Sequence, residues 1–284
     1  MDLFEREWYA VINRNDFILY MEKKIKALMR DREIKSSTYD NHKKTLTKLK
    51  DFCANLPFMD LDHNWAKKYD SFLKRNIRSY KTNGINTRWT HHKVVRTYMR
   101  LAQKEDHIKF ENPYDYFTAK TADSTWLPIY EKDFKKLVNY YDSHVINKKE
   151  KRCLRRFLMS CCTSLRISDL QRVRENWLYS DNVLRYVAYK NRDKNKIIEL
   201  PLKGLGLRLF QDAIEDMPTG SQLFHTSQEQ PSNRMLKRIA QRLRINRNLH
   251  HHVGRSTFIT LFLKNGGKLD MAQYYAGHHD IILG

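Results

Sequence analysis

The sequence predicts a mainly α-helical protein with one small β-sheet, divided into two domains. Apolar residues recur at helical spacing through most of the chain, and residues 183–202 show the β-branched and aromatic pattern of a β-hairpin. The chain has 284 residues, more than the about 100 to 200 of a usual domain, so it can bury two modest cores. We expect an all-α domain followed by an α+β domain.

The first domain is expected to span residues 17–112, after an N-terminal extension of residues 1–16. Amphipathic helices are predicted over residues 41–57, over residues 64–77 and from Asn86 onward, because apolar side chains fall on one face of each. In the first of these helices the apolar positions are Leu46, Leu49, Phe52, Cys53 and Leu56. The domain should therefore be a helical bundle.

A linker is predicted over residues 113–127. Helical periodicity lapses there, and Pro, Asn, Asp, Ser and Thr gather. The second domain then covers residues 128–284.

The second domain begins with two helices, predicted near residues 131–143 and 148–163. Residues 183–190 and 196–202 are rich in strand-forming residues, and the turn-forming segment between them indicates a hairpin. Helical spacing returns after Pro231. This order predicts helices on either side of a small sheet.

The charge of the chain predicts a polyanionic partner. Lysine and arginine number 53 against 32 acidic residues, for a formal net charge of +21. Residues 61–100 hold 10 basic and 2 acidic side chains, and residues 231–260 hold 7 basic and 0 acidic ones. No apolar run approaches the roughly 18 residues that spanning a membrane needs, and no signal peptide is visible. We expect a cytoplasmic, nucleoid-associated protein with no membrane partner.

The four cysteines do not form a pattern typical of disulfides or metal binding. Cys153, Cys161 and Cys162 lie in one apolar helical stretch, and Cys53 lies far from them in the chain. They are interpreted as core thiols in a reducing compartment.

Arg166 is the first candidate for anion binding. It follows a predicted helix and precedes Ser168 and Asp169, which can begin another helix, so its guanidinium would lie near exposed backbone amides. The alternative is an arginine that pairs with Asp169 or faces solvent. Asp169 itself can be an ordinary helix N-cap.

His252 and Arg255 are three residues apart, on one face of a helix, and could both reach one phosphate. The three histidines of residues 250–252 also raise the possibility of a metal site. Consecutive residues point to different sides of a helix, however, and no carboxylate or cysteine lies nearby, so no metal and no cofactor is expected. Gly277 is expected to cap the helix before it, with His278 the first residue beyond.

The order of these residues resembles the tyrosine recombinases, the family of the phage-type integrases. Residues 163–170 (TSLRISDL) are similar to the family's arginine box, residues 252–261 (HVGRSTFITL) to its His-x-x-Arg box, and residues 275–280 (YAGHHD) to its Leu-Gly-His box. Residues 86–114 also resemble the core-binding domain of integrases from conjugative or mobilisable elements. The resemblance covers nearly the whole chain.

The resemblance implies a SAM-like core-binding domain followed by a catalytic domain, together clamping double-stranded DNA. Family members cleave DNA without metal: a tyrosine hydroxyl attacks the scissile phosphate, which leaves a 3′-phosphotyrosyl bond and a free 5′-hydroxyl. They assemble as tetramers on paired sites. DNA and other recombinase protomers are therefore the expected partners.

The resemblance also implies roles for the candidate residues. Arg166 and Arg255 would clamp the phosphate, His252 would hydrogen-bond or transfer a proton, and His278 would be a second phosphate donor. Asp169 matches an acidic position that orients the first arginine.

The family's lysine, which protonates the departing 5′-oxygen, lies on the hairpin. Lys190 matches best, and Lys194 and Lys196 are alternatives because hairpin registers slip when they are predicted from one sequence.

Some positions depart from the family pattern. Ser164 stands where the family often has glycine, Ser256 where it often has histidine, and Ala276 where it often has leucine. None of these changes removes a phosphate ligand.

The family's nucleophilic tyrosine is expected roughly nine residues after the Gly-His histidine, and the 284 residues end before that point. Tyr274 and Tyr275 precede the box and are interpreted as helix-face or core aromatics. The catalytic domain is thus expected to be C-terminally incomplete, in a recombinase chain that binds DNA without cleaving it. The alternatives are a non-catalytic DNA-binding relative that regulates recombination, and a metal-dependent nuclease that uses residues 250–252.

Overall fold

The computed structural model describes five segments of the chain: residues 15–77, 84–122, 127–189, 197–225 and 229–277. The chain divides into two compact units, with the boundary between residues 124 and 125. Each unit has its own core of buried apolar side chains. In the described segments, no helix is both long enough and apolar enough to cross a membrane.

The first unit is a helical bundle, as predicted. Its helices are α1 (Phe17–Arg30), α2 (Ser36–Phe52), α3 (Trp65–Asn76) and α4 (Ile85–Lys104). The apolar face of each helix enters one core, whose fully buried side chains include Phe17, Met21, Leu49, Tyr69, Leu73, Val95 and Tyr98. Burial of these faces is the main force that holds the described helices of this unit together.

Helix α2 ends earlier than its apolar pattern predicts. Cys53 already has extended backbone angles (φ −149, ψ 141), and the chain then pairs with the start of α1. The two carboxylate oxygens of Asp16 accept hydrogen bonds from the backbone N–H groups of Leu19 (2.8 Å) and Leu56 (2.5 Å). Leu56 is still buried, but as part of this extended segment and not as part of a helix.

Part of the segment expected to be a linker is packed onto the first unit. Pro113–Asp115 forms a 3-10 turn, and the buried hydroxyl of Tyr114 lies 2.9 Å from Nδ1 of His92. Further along, the side-chain amide of Asn86 donates to the carbonyl of Ala122 (2.9 Å) and accepts from its N–H (2.8 Å). Sequence composition alone does not reveal these tertiary contacts, which attach the segment to α4.

In the second unit, the other helices and the hairpin pack around one central helix. The helices of this unit are α5 (Glu131–Asp142), α6 (Lys148–Thr163), α7 (Ile167–Leu170), α8 (Gly204–Asp216), α9 (Glu229–Arg242), α10 (His251–Lys264) and α11 (Leu269–Tyr275). Leu154, Phe157, Leu158 and Met159 are fully buried within α6. Because neighbours in sequence point to different sides of a helix, this run shows that α6 is covered all round.

The predicted hairpin is present. Strands β1 (Val183–Val187) and β2 (Ile197–Pro201) are antiparallel, with Val183 opposite Pro201 and Val187 opposite Ile197. Alternate side chains of both strands are buried against the helices. Residues 190–196, which include all three candidate lysines, lie outside the described segments.

All four cysteines carry free thiols. Cys153 and Cys161 are buried in α6, and Cys53 and Cys162 are partly buried. These positions agree with the interpretation of the cysteines as packing residues.

Candidate active site

Arg166 lies in a tight turn between α6 and α7. Ser164 ends α6 with a left-handed backbone conformation (φ 59), and Arg166 takes the N-cap position of α7 in an extended conformation. The turn directs the partly buried guanidinium toward the end of α11, where Nη2 donates to the carbonyl of Gly277 (3.2 Å).

Arg255 extends from the first turns of α10 to the same place. It is only 6% exposed. Its Nη1 donates to the carbonyl of Ser164 (2.9 Å), and its Nη2 donates to the carbonyl of Ala276. Burial lowers the pKa of Arg255 to about 10, with the nearby charge of Arg166 as the next cause. Arg255 therefore stays protonated at neutral pH, although it is largely removed from water.

Three sequence motifs thus meet at one point. The arginine box supplies Arg166, α10 supplies Arg255, and the turn after α11 supplies the carbonyls of Ala276 and Gly277. Gly277 has φ +58, and a Cβ there would lie 3.2 Å from Nη1 of Arg166 and 3.3 Å from Cδ1 of Ile198. Glycine is required for both reasons. The expected partner His278 lies outside the described residues.

His252 lies one turn before Arg255, and its side chain is exposed. Partial burial lowers its pKa, and the charges of Arg255 and Arg166 lower it further. The ring is therefore mainly neutral at pH 7, so it can accept a hydrogen bond or a proton as well as donate a hydrogen bond.

The histidine before it faces the opposite way. His251 is buried, with Nε2 2.8 Å from the hydroxyl of Ser232, and its backbone N–H donates to the side chain of Asn233 (3.1 Å). No group of three or more His, Cys, Asp or Glu side chains among the described residues is arranged to hold a metal ion. His251 is therefore buried and His252 exposed, because adjacent residues of a helix point to different sides.

The structure excludes one of the two sequence interpretations of Asp169, that of a helix N-cap. It lies inside α7 and is not its N-cap, because Arg166 holds that place. Its carboxylate accepts from the backbone N–H of Tyr189 (2.7 Å), beyond the end of β1. Burial raises the pKa of Asp169, and that hydrogen bond together with the charges of Arg166 and Arg172 opposes the rise. The observed contact holds the hairpin.

The two tyrosines before the Gly-His box act as packing residues. Tyr275 packs edge-on against Phe262, with ring centroids 5.7 Å apart. The hydroxyl of Tyr274 accepts from the N–H of Glu199 (3.0 Å) and donates to the carbonyl of Ile197 (3.4 Å). Tyr274 therefore joins α11 to the outer edge of β2. Nothing in its local sequence indicated this contact.

A second candidate surface lies on the first unit, in a groove of about 670 Å³ between α2 and α4. Eight polar residues line it, although most of the surface that they present is carbon: Asn41, Lys44, Thr47 and Lys48 from α2, and Asn86, Thr87, Thr90 and His91 from α4. The ammonium groups of the two lysines can contact a phosphodiester backbone. Both lysines lie outside the basic stretches of residues 61–100 and 231–260, and the sequence pattern did not predict this groove.

Two family descriptions match the chain: the phage integrase SAM-like domain over residues 16–121, and the phage integrase family over residues 128–282. The second match by itself covers more than half of the 284 residues. The chain therefore belongs to the phage integrase family. No curated protein sequence matches it.

Solved structures share its fold. The Tn1549 transposon integrase in complex with transposon right end DNA is 17% identical, with a TM-score of 0.74 over 94% of this chain and 92% of that chain. A lambda integrase dimer bound to a COC′ core site is 14% identical, with a TM-score of 0.74 over 93% of this chain and 96% of that chain.

A lambda integrase tetramer bound to a Holliday junction is 15% identical, with a TM-score of 0.71 over 96% of this chain and 80% of that chain. At such identities the likeness shows a common fold. The expected fold class, a SAM-like helical domain followed by an integrase catalytic domain, is confirmed.

Proposed function

We propose that this chain acts in site-specific DNA recombination, binding double-stranded DNA and holding the scissile phosphate between Arg166 and Arg255. The observation that carries the proposal is the convergence of both guanidiniums on the carbonyls of Ala276 and Gly277. Guanidiniums that already bind neutral carbonyl oxygens would bind the charged oxygens of a phosphate more strongly.

The arginine pair can perform the work that metal ions perform in other phosphoryl-transfer sites. Negative charge is spread over the non-bridging oxygens in the transition state, and fixed cations stabilise it there. Burial of Arg255 strengthens this effect, because water screens a buried charge less. The proposed chemistry needs no metal and no cofactor.

The remaining roles are proposed from the family motif. His252 is exposed beside the arginines and would hydrogen-bond the phosphate or transfer a proton. His278 would be a further phosphate donor. Lys190, with Lys194 and Lys196 as alternatives, would protonate the departing 5′-oxygen. Asp169 would orient Arg166.

The proposed reaction is a transesterification. A tyrosine hydroxyl attacks the scissile phosphorus, the bond to the 5′-oxygen breaks, and that oxygen takes a proton from the lysine, leaving a 3′-phosphotyrosyl bond. We propose that in this reaction the described residues of this chain bind the DNA and hold its scissile phosphate.

Partners are proposed by analogy of fold. The Tn1549 integrase structure contains transposon right end DNA, and lambda integrase is seen as a dimer on a core site and as a tetramer on a Holliday junction. We propose that this chain likewise assembles with further copies on DNA, in the integration of a mobile element. The groove between α2 and α4 would hold the DNA backbone.

The test measures binding of the chain to a duplex oligonucleotide of about 40 base pairs and to a nicked suicide substrate. Arg166→Ala and Arg255→Lys should each weaken binding about tenfold, because each removes charge-assisted hydrogen bonds to phosphate. Arg208→Ala is the matched control, since Arg208 pairs with Asp142 (2.7 Å) outside this site. Unfolding curves verify that each variant is folded.

One result would count against the proposal. If both folded arginine variants bind as tightly as the unchanged chain, the phosphate clamp is wrong.

A further inference from the structure

The carbonyls that hold the two arginines belong to the end of a very short helix. Helix α11 has 7 residues, about two turns, and a helix of this length gains little stability from its own hydrogen bonds. Contacts with neighbouring elements must therefore fix the positions of the Ala276 and Gly277 carbonyls. Two adjacent tyrosines, Tyr274 and Tyr275, supply such contacts on different sides of the helix.

Tyr275 joins α11 to the helix that carries Arg255. Its ring packs edge-on against Phe262, with ring centroids 5.7 Å apart, and against Phe258, with ring centroids 6.3 Å apart. Both phenylalanines belong to α10, and their own rings are stacked with centroids 5.6 Å apart. Apolar packing therefore fixes this side of α11.

Tyr274 joins α11 to β2 through hydrogen bonds. Its hydroxyl accepts from the backbone N–H of Glu199 (3.0 Å) and donates to the carbonyl of Ile197 (3.4 Å). These two residues flank Ile198, whose Cδ1 would lie 3.3 Å from a Cβ placed on Gly277. Ile198 is buried, so the end of α11 rests on a fixed side chain of β2. The hydroxyl thus holds the backbone on both sides of the residue that supports Gly277.

The supported carbonyl is the one that Arg166 contacts, through its Nη2 at 3.2 Å. Arg255 also donates to the carbonyl of Ser164 (2.9 Å), which lies at the end of α6 and not on α11. A displacement of α11 would therefore change the position of Arg166 more than that of Arg255.

We propose that Tyr274 is a positioning residue: its hydroxyl fixes α11 on β2, and the Gly277 carbonyl then holds the Arg166 guanidinium where it binds phosphate. The inference rests on the proposed function, in which Arg166 binds the scissile phosphate. A guanidinium that is already held in place loses less side-chain entropy when it binds an anion. Without the hydroxyl, Arg166 keeps its charge but binds phosphate less tightly.

The first experiment observes the side-chain Nε–H signal of Arg166 by NMR in the chain without DNA. Tyr274→Phe keeps the ring and removes the hydroxyl, so the Arg166 signal should shift and its hydrogen exchange should become about fivefold faster. Tyr141→Phe is the matched control, since it removes a tyrosine hydroxyl of the same unit that donates to Asp212 (2.7 Å). It should leave the Arg166 signal as it is. An unchanged Arg166 signal in Tyr274→Phe would overturn the proposal.

The second experiment is a double-mutant cycle on the affinity for duplex DNA. Arg166→Ala alone should weaken binding about tenfold, and Tyr274→Phe alone about fivefold. If Tyr274 acts through Arg166, the double variant should bind only about tenfold more weakly than the unchanged chain, because the hydroxyl then has no guanidinium to position. A residue that only supported the fold would give additive losses, about fiftyfold in total, and that result would refute the inference.

Urea unfolding verifies that each variant is folded. Should Tyr274→Phe fail to fold, Ile198→Val takes its place, because it removes the methyl group on which Gly277 rests. The same change in the Arg166 signal is expected, and its absence would refute the inference. If instead Arg166→Ala binds duplex DNA as tightly as the unchanged chain, the proposed phosphate clamp fails, and the NMR result still decides whether Tyr274 positions Arg166.

Discussion

At the scale of single residues, Ser164 has the most demanding backbone of the site. It ends α6 with φ 59, a conformation that costs a residue with a Cβ roughly 1 kcal/mol or more. Its buried hydroxyl finds no hydrogen-bond partner among the described residues. Its carbonyl, however, accepts from Arg255 (2.9 Å). The left-handed backbone at position 164 therefore belongs to the site, because it accompanies the carbonyl position that Arg255 contacts. The side chain at position 164 takes no part in that contact.

Replacing Ser164 with glycine should stabilise the protein. Ser164→Gly removes both the backbone strain and the unpartnered hydroxyl, and the gain exceeds the added entropy of glycine in the unfolded chain. We expect the free energy of unfolding to rise by about 1 kcal/mol in urea titrations. Ser164→Ala is the control, since it removes the hydroxyl alone and should give a smaller gain. A less stable Ser164→Gly protein would contradict the account.

His251 is a buried histidine at the start of α10 that remains neutral. Burial lowers its pKa from 6.5 to about 3, and the nearby charge of Arg156 adds to the shift. Arg156 donates to the same Ser232 hydroxyl (3.1 Å) that His251 contacts. Because the folded pKa is depressed, the unfolded chain binds more protons below pH 6.5, so the contribution of His251 to stability is lost as pH falls from 6.5 toward 3.

This coupling gives a pH-dependent prediction. Between pH 7.5 and 5.0 the unchanged protein should lose about 2 kcal/mol of stability through His251. His251→Gln, which cannot titrate, should lose less over the same interval. Urea unfolding at both pH values checks this, and equal losses in the two proteins would show that His251 is not the group responsible.

At the scale of elements, the site depends on how closely α10 approaches α6. Gly254 lies between His252 and Arg255, and a Cβ on it would be 2.9 Å from Cβ of Ser160 and 3.2 Å from the carbonyl of Phe157. Only glycine allows this separation. Arg255 can reach the carbonyl of Ser164, at the end of α6, because the two helices are so close.

Gly254→Ala should therefore damage stability and phosphate binding together. The added methyl group forces the helices apart, which costs roughly 2 kcal/mol in the free energy of unfolding. Gly206→Ala is the matched control, since Gly206 also lies on a helix packed against α6 but a Cβ there would be 3.3 Å from Cβ of Cys162. Urea unfolding and duplex binding measure the two effects. If Gly254→Ala changed neither the free energy of unfolding nor the affinity for duplex DNA, the two helices could separate without cost and the account would be wrong.

At the scale of the whole molecule, the positive charge of the chain is expected to control its affinity for DNA and the dependence of that affinity on salt. The net charge of +21 is concentrated in stretches that belong to different units, residues 61–100 in the first and 231–260 in the second. If both contact phosphates, binding releases many counterions, and affinity must fall steeply with salt.

The expected fall in affinity is on the order of 10³-fold between about 50 and 200 mM salt for six or more phosphate contacts. Fluorescence anisotropy of a labelled duplex across this range measures it. Lys44→Ala with Lys48→Ala should reduce the slope by about 2 if the groove between α2 and α4 contacts the backbone. A flat salt dependence would be incompatible with binding through both stretches.

Local patterns in the sequence determined the helices, the hairpin, the division into two units and the three motifs of the family. They could do so because helical and strand periodicity, turn-forming composition and motif spacing are properties of neighbouring residues. The helix over residues 131–143 is one example, since α5 is found at Glu131–Asp142. The end of α2 is a counterexample, because Asp16, 40 residues away from Leu56 in sequence, captures the Leu56 N–H.

Only the tertiary structure decided how the motifs meet. Arg166 and Gly277 are 111 residues apart in the chain, yet their contact forms the site. The same holds for Asp169, whose partner Tyr189 lies on another element, and for Tyr274, whose hydroxyl reaches the edge of β2. Such contacts depend on which faces of distant elements pack together. The packing that is adopted has the lowest free energy for the whole chain, and no single segment determines it.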